Sequence, residues 1–436
     1  MTACGLQGSL RPAATRRALM SEDGPRHGAA AAGARYTAAM SLSFPRRPYR
    51  LLLNRHHGTP GLVTLPEAGF RRAQEEIASW PGYAATPLHK LPDVATAARV
   101  AAVHYKDEGG RFGLGSFKAL GGAYAVMRLL QVELAKRDIA PAATAAELAE
   151  GKYKEAAQKI TVTCATDGNH GRSVAWGAQR FGARCVIFVH EHVSQGRRDA
   201  IAAYGATIRV VPGNYDDSVR EAQRTAEKEG WFVVSDTSYP GYTEVPRDVM
   251  QGYRVMAEEA AEALPAPPTH VFVQGGVGGV AAAVSAQMRA RYPGQVPKLV
   301  VVEPEAAACL LASAEAGAPT AIEGELDTLM AGLACGEPSL LAWQELERAA
   351  FAFMAVPDAA AVDAMKLLAA RSPKVVAGES AVAGLAGLLL AAREGFGRAA
   401  LGLEEDSRVL LFGTEGATDP ELYAKLVGEK PPASSN

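Results

Sequence analysis

The stretch Arg111-Phe112-Gly113-Leu114-Gly115-Ser116-Phe117-Lys118-Ala119-Leu120-Gly121-Gly122 puts a lysine where a charge is least expected. The glycine turn ahead of it lets backbone approach a ligand closely. Residues 119–130 behind it are mostly apolar and read as a buried helix. One reading of Lys118 is a side chain that snorkels to solvent from a helix start. The other is an amine at a buried boundary, its pKa depressed by burial, able to form a Schiff base with an aldehyde. Three further stretches favour the second reading.

The first is Thr163-Cys164-Ala165-Thr166-Asp167-Gly168-Asn169-His170-Gly171-Arg172-Ser173, between a strand-like run at 160–163 and a helix-like run at 174–181. Strand, tight turn and helix aim backbone N–H groups at an anion. Asn169 can hydrogen-bond a ligand hydroxyl, and Asp167 can move protons. An ordinary loop with Asp167 as helix N-cap is the alternative. The second is Gln274-Gly275-Gly276-Val277-Gly278-Gly279-Val280, a phosphate cradle in form. It also reads as Gly276-x-Gly278-x-x-Ala281 with Glu303 ending the next strand, a dinucleotide fingerprint. That reading lies far into the chain and leaves Lys118 and residues 167–171 without a role. The third, Leu411-Phe412-Gly413-Thr414-Glu415-Gly416, marks by itself only a turn after a strand.

Bulk properties narrow the classes. At 436 residues the chain exceeds one typical core, so two domains are expected. Apolar residues at 48% and charged residues at 21% suit a globular protein. A net charge of −2 argues against nucleic-acid or acidic-membrane partners. No apolar run is long enough to span a bilayer. Five cysteines in this length make no disulfide framework. His170 has no second His or Cys at ligand spacing, so no metal site is expected.

Residues 1–50 differ in kind. They carry Arg11, Arg16, Arg17, Arg26, Arg35, Arg46, Arg47 and Arg50, no lysine, and only Glu22 and Asp23 as acids. The composition fits an organelle transit peptide, a disordered extension, or a start placed ahead of Met20 or Met40. The location is therefore cytoplasmic, or a mitochondrion or plastid if the tail is a transit peptide.

From there on, strand-like and helix-like runs alternate. Strands are expected at 100–105, 160–163, 185–189, 207–211, 231–234, 270–273, 299–302, 351–356 and 409–412. Helical runs separate most of them, which predicts an α/β fold with largely parallel sheets and helices on both faces. Residues 137–158 read as a solvated helical insertion. Residues 215–217 read as a helix start.

Together the four stretches resemble the pyridoxal-phosphate enzymes of the tryptophan-synthase β-type fold (fold type II), and among them the diaminopropionate ammonia-lyases. The similarity runs from about residue 59 to about residue 423. It is densest at 111–122, 166–176, 236–252, 330–338 and 377–380. Dehydratases of this fold carry Ser-x-Gly-Asn-His where this chain has Thr166-Asp167-Gly168-Asn169-His170.

The resemblance implies a large cofactor-binding domain from 51–121 plus 236–430 and a small domain at 122–235, with pyridoxal 5'-phosphate between them. It implies a homodimer. Lys118 would bond the cofactor, Asn169 would meet the ring hydroxyl, and Gly275, Gly276, Val277, Gly278 and Gly279 would hold the phosphate. Thr414 would be a neutral partner of the ring nitrogen. The implied reaction is α,β-elimination of D- or L-2,3-diaminopropionate to pyruvate and two ammonia. A carboxylate attracts the β-ammonium and can shuttle its proton, a task that falls to Asp167 and Asp236. Lys118 and Asp167 on opposite faces of the substrate would serve the two enantiomers. Glu379 either touches cofactor or substrate or is a helix-start acid. Cys309 and Cys335 could approach each other, with two reduced thiols the safer reading. A serine, threonine or hydroxyaspartate dehydratase, a dinucleotide-binding oxidoreductase, and a binding protein without turnover remain as alternatives.

Overall fold

The computed structural model describes residues 44–432 except Asp167 and Glu394, and not the side chain of Asp216. Eleven strands lie among the described residues: β1 Arg50–Leu53, β2 Leu88–Lys90, β3 Ala102–Asp107, β4 Thr161–Ala165, β5 Arg184–His190, β6 Thr207–Val211, β7 Phe232–Val233, β8 His270–Gln274, β9 Lys298–Pro304, β10 Ala350–Val356 and β11 Arg408–Gly413. Seven form one sheet in the order β1-β10-β9-β8-β11-β3-β2, and four form a second in the order β6-β5-β4-β7. The second sheet is parallel throughout. The larger sheet is parallel from β10 to β3 and carries an antiparallel strand at each edge. Its inner strands are buried along nearly their whole length, as parallel strands covered by helices must be.

All nine strands expected from the sequence are present, and the two antiparallel edges are additions. β1 begins at Arg50, the last residue of the arginine-rich tail, and the residues just before it already pack on the body. Phe44 is buried, Arg393 donates to its carbonyl, and Arg47 pairs with Asp363 at 2.6 Å. Residues 1–43 lie outside the described residues. The stretch 137–158 is not one solvated helix. It holds two short helices, Ala145–Ala149 and Lys154–Ala157, and buries Ala140, Ala143, Leu148 and Ala157. The helix expected near residue 215 begins at Tyr215, with Asn214 and Asp217 closing a capping box.

Four helices position the functional residues: α1 Lys118–Lys136, α2 Asn169–Phe181, α3 Glu244–Ala263 and α4 Gly279–Arg291. α1 lies between α2 and α3, with Ala119 to Met127 buried. Glycines allow this closeness. A Cβ on Gly252 of α3 would strike the carbonyl oxygen of Leu120, and one on Gly177 of α2 would lie 2.6 Å from Ala123 Cα. On α1 itself, a Cβ on Gly121 would meet Tyr253, and one on Gly122 would meet Ser173.

The turn before α1 is held by a buried charge cluster. Arg111 donates to Glu108 at 2.8 Å and to Glu259 of α3 at 2.6 Å, and Lys106 reaches Glu259 at 2.6 Å. All four side chains are buried. Buried charges are tolerable only when paired in this way. Among the described residues, no helix is long and apolar enough to cross a membrane, and no group of His, Cys, Asp or Glu could hold a metal ion.

Candidate active site

A cavity of about 830 Å³ opens where the C-terminal ends of β4, β8 and β11 meet the first turns of α1, α2 and α4. Ligands in open α/β folds bind at such strand ends. Lys118, Asn169, Asp236, Gly275, Gly276, Val277, Gly279 and Thr414 all line it. Gly278 stands behind the lining. Its φ of 95° turns the chain, and a Cβ there would press to 3.0 Å of Ala342. Asp167 lies outside the described residues.

Lys118 Nζ donates to Asp236 Oδ2 at 2.5 Å and stands 5.4 and 5.9 Å from the ring centres of Phe117 and Tyr253. This overturns the expected depression of its pKa. Burial alone would lower the amine, but the Asp236 charge and the hydrogen bond to it outweigh burial and raise it. Burial would raise Asp236, yet the Lys118 ammonium holds it well below the carboxylate range. His170 lies behind, with Nδ1 3.7 Å from Asp236 and Nε2 2.8 Å from the Val234 carbonyl. Burial keeps this imidazole below its ordinary pKa, so it is neutral near pH 7, with its proton toward Val234.

The turn into α2 is braced by Thr166, whose hydroxyl accepts from the N–H groups of Gly168 and Gly171 at 3.1 and 3.2 Å. Asn169 then donates to Glu415 at 2.5 Å. Glu415 also accepts from Ser380 N at 3.2 Å, and Arg197 stands 3.7 Å from Glu379. Glu379 is buried in the cavity wall, at the head of the short turn Glu379–Ala381. Glu415 and Gln274 stood in the quoted stretches without a role. Arg197 carried no sequence signal, because only the fold brings it to this wall.

The glycine loop fits a phosphate. Gly276, at φ 58°, adopts the left-handed conformation that glycine favours, and the first-turn N–H groups of α4 have no intrahelical partner. A Cβ on Gly275 would come within 2.5 Å of Glu303 Cγ. Glu303 itself is fully buried, and its carboxyl oxygens accept from Leu310 and Leu311 N–H at 2.9 and 2.8 Å. It therefore cannot meet a ribose, and the dinucleotide reading loses its acidic residue. Cys309 donates to the Gly276 carbonyl at 3.5 Å, and a Cβ on Gly276 would lie 3.9 Å from Cys335 Sγ. Lysine, glycine cradle, amide and hydroxyl around one cavity suit an aldehyde cofactor bearing a phosphate and a polar ring.

The comparisons agree. A family model described as pyridoxal-phosphate dependent enzyme matches residues 79–412. A diaminopropionate ammonia-lyase of Escherichia coli K12 is 40% identical over 370 residues, 82% of this chain and 90% of that protein. One from Salmonella typhimurium is 38% identical over 361 residues, 80% of this chain and 89% of that protein. The crystal structure of selenomethionine-incorporated holo diaminopropionate ammonia lyase from Escherichia coli superposes with a TM-score of 0.81 at 34% identity. The match covers 88% of this chain and 98% of that one.

Proposed function

This chain belongs to the pyridoxal-phosphate-dependent enzymes, and from that premise we propose that it eliminates the β-amine of 2,3-diaminopropionate to give pyruvate and two ammonia. The observation that carries the reading is the Lys118–Asp236 pair inside a glycine-lined cavity. Pyridoxal 5'-phosphate, when bound, supplies the electron sink. Lys118 would bond it, the 275–279 loop and the start of α4 would hold its phosphate, Asn169 would meet its ring hydroxyl, and Thr414 its ring nitrogen.

The chain's own residues handle the protons. Lys118 would have to shed a proton before its amine could bond the cofactor, and until then the Asp236 carboxylate holds the charged amine in place. The neutral Nδ1 of His170 lies beyond Asp236 as an acceptor. Lys118, with its amine free, would take the Cα proton on its own side. Asp167 takes it from the other side, which admits the opposite enantiomer. Asp236 attracts the β-ammonium and attends its departure. The enamine left behind hydrolyses to pyruvate and ammonia.

The same reading takes 122–235 as a small domain, 51–121 plus 236–430 as a large one, and the chain as a homodimer. In support of the division, the four-stranded sheet falls wholly within 161–233, and residues of both segments line the cavity. Light scattering on the purified protein tests the dimer.

The deciding experiment measures pyruvate from D- and L-2,3-diaminopropionate, serine and threonine side by side. Diaminopropionate should be turned over fastest. Faster turnover of serine or threonine would make the protein a dehydratase. No pyruvate from any of them, with cofactor fixed to Lys118 by borohydride, would leave a binding protein.

A further inference from the structure

Gln274 ends β8 in the cavity wall and is buried. Its Nε2 has two hydrogens for three acceptors, the carbonyls of Phe412 and Ala381 at 2.7 and 2.9 Å and Thr414 Oγ1 at 3.0 Å, so one hydrogen is shared between two of them. Its Oε1 is buried without a hydrogen-bond partner among the described residues. The two carbonyls fix which way the amide faces. Turned over, its oxygen would oppose two carbonyl oxygens, which have no hydrogen to give.

The consequence falls on Thr414. A hydroxyl that accepts from Gln274 keeps its own hydrogen to donate elsewhere. No protein acceptor takes that hydrogen among the described residues, and Thr414 lines the cavity. Its backbone carbonyl is already occupied by Phe117 N–H at 3.0 Å. The charged groups nearest on this wall, Glu415 and Glu379, are engaged by Asn169, Ser380 N–H and Arg197.

We infer that Gln274 is a positioning residue that commits the Thr414 hydroxyl to donate toward the cofactor's ring nitrogen, and so keeps that nitrogen unprotonated. A nitrogen that receives a hydrogen bond from a neutral hydroxyl gains nothing by taking a proton of its own. An unprotonated ring is a weaker electron sink, which favours prompt loss of a β-leaving group over a persistent carbanion. The inference rests on the cofactor placement proposed above.

The test uses holoenzyme reconstituted with pyridoxal phosphate labelled with ¹⁵N in the ring. Its readout is the ¹⁵N chemical shift at neutral pH. Wild-type protein should give the shift of an unprotonated, hydrogen-bonded nitrogen, and Thr414→Ser should keep it. Gln274→Glu offers Thr414 an acceptor, so its hydroxyl turns round and its lone pairs face the ring. Gln274→Met frees the hydroxyl to satisfy the Phe412 carbonyl, with the same result. Each should move the shift toward the protonated value, a rise of at least about tenfold in the protonated-to-unprotonated ratio. Wild-type shifts in both variants would overturn the inference, as would a protonated nitrogen in wild-type protein. If neither Gln274 variant folds, Thr414→Val decides. An unchanged shift without the hydroxyl sinks the inference, and a shift moved to that of a nitrogen without a hydrogen bond supports it. Absence of a borohydride-fixed cofactor on wild-type Lys118 would instead sink the proposed function.

Discussion

Asn169 and Glu415 stand 246 residues apart in the chain, and their side chains meet at 2.5 Å. The bond joins the first turn of α2 to the turn that follows β11. Burial, with the charge of Glu379 adding, pushes the Glu415 carboxyl up to about 7.

A carboxyl raised in the folded state holds its proton longer there than in the unfolded chain. Its contribution to stability is complete below the ordinary carboxylate pKa and is lost as pH rises through about 7. Glu415→Gln keeps an acceptor for Asn169 and should flatten this part of the pH dependence. Glu415→Ala leaves the amide without its partner and should cost ~1–3 kcal/mol. Urea unfolding between pH 5 and pH 8 measures both. Equal pH slopes for wild type and Glu415→Gln would remove Glu415 as the titrating group.

Lys118→Ala should carry no borohydride-fixable cofactor and lose at least the ~10²–10⁴-fold that a positioned base supplies. Lys118→Arg should fail equally, because a guanidinium stays protonated and forms no imine. Intact-mass measurement after borohydride reads the covalent bond. A retained adduct in Lys118→Ala would place the anchor on another lysine.

Gly276→Asp should weaken cofactor binding without unfolding the protein. The nearest atom to a Cβ there is Leu333 Cδ2 at 3.6 Å, so the side chain has room, although the φ of 58° adds a strain of about 1–2 kcal/mol that lowers the melting temperature slightly. A carboxylate beside a phosphate costs about 4 kcal/mol at 4 Å under surface-like screening, several hundredfold or more in affinity. Gly275→Ala should act differently, since its Cβ presses on Glu303 and attacks the fold. Cofactor content after dialysis, beside melting temperature, separates the two. Unchanged cofactor content in Gly276→Asp would move the phosphate site.

Asp236→Asn should slow turnover of both diaminopropionate enantiomers by about 10²-fold, because it removes the charge facing Lys118 and the β-ammonium. Asp167→Asn should act unequally, with the D-substrate losing at least ~10²-fold and the L-substrate less. Steady-state rates on each enantiomer decide. Equal small losses in Asp167→Asn would reduce Asp167 to a turn former and strengthen the dehydratase reading.

Deleting residues 1–40 should leave melting temperature and turnover unchanged, because that arginine-rich, acid-poor stretch has little to bury. Deleting through Leu53 should not be tolerated. It removes β1 from the edge of the large sheet, buried Phe44, and the Arg47–Asp363 pair. A large fall in melting temperature for the shorter deletion would show that the tail docks on the body.

Much of this was legible from local pattern. Buried parallel strands such as His270–Gln274 announce themselves as short apolar runs, and glycines mark the turns that follow. β2 was not legible, because Leu88-His89-Lys90 is three residues long with no β-branched side chain. β1 was hidden by arginines that suit an edge facing solvent. The setting of Lys118 is visible in the sequence, but the direction of its pKa shift is not. Burial is visible in sequence, whereas the counter-charge Asp236 lies 118 residues away and only folding delivers it. Arg197 was invisible for the same reason. The polarity of Gln274 needed coordinates, because it depends on which way two carbonyls point.

The glycine contacts around α1 set the mutational tolerance of the enzyme. Gly121, Gly122, Gly177 and Gly252 do not line the cavity, yet alanine, the smallest possible step, would press its methyl group on a neighbour at each, least severely at Gly122, where the Ser173 hydroxyl can turn aside. At Gly252 the obstacle is a main-chain oxygen, which no rotamer change can clear. A saturation scan should therefore score these positions as intolerant as Lys118 itself. Directed evolution toward new substrates will have to work through the outer wall, around Tyr215, Tyr239 and residues 321–326, because the scaffold that aims the lysine admits almost no change.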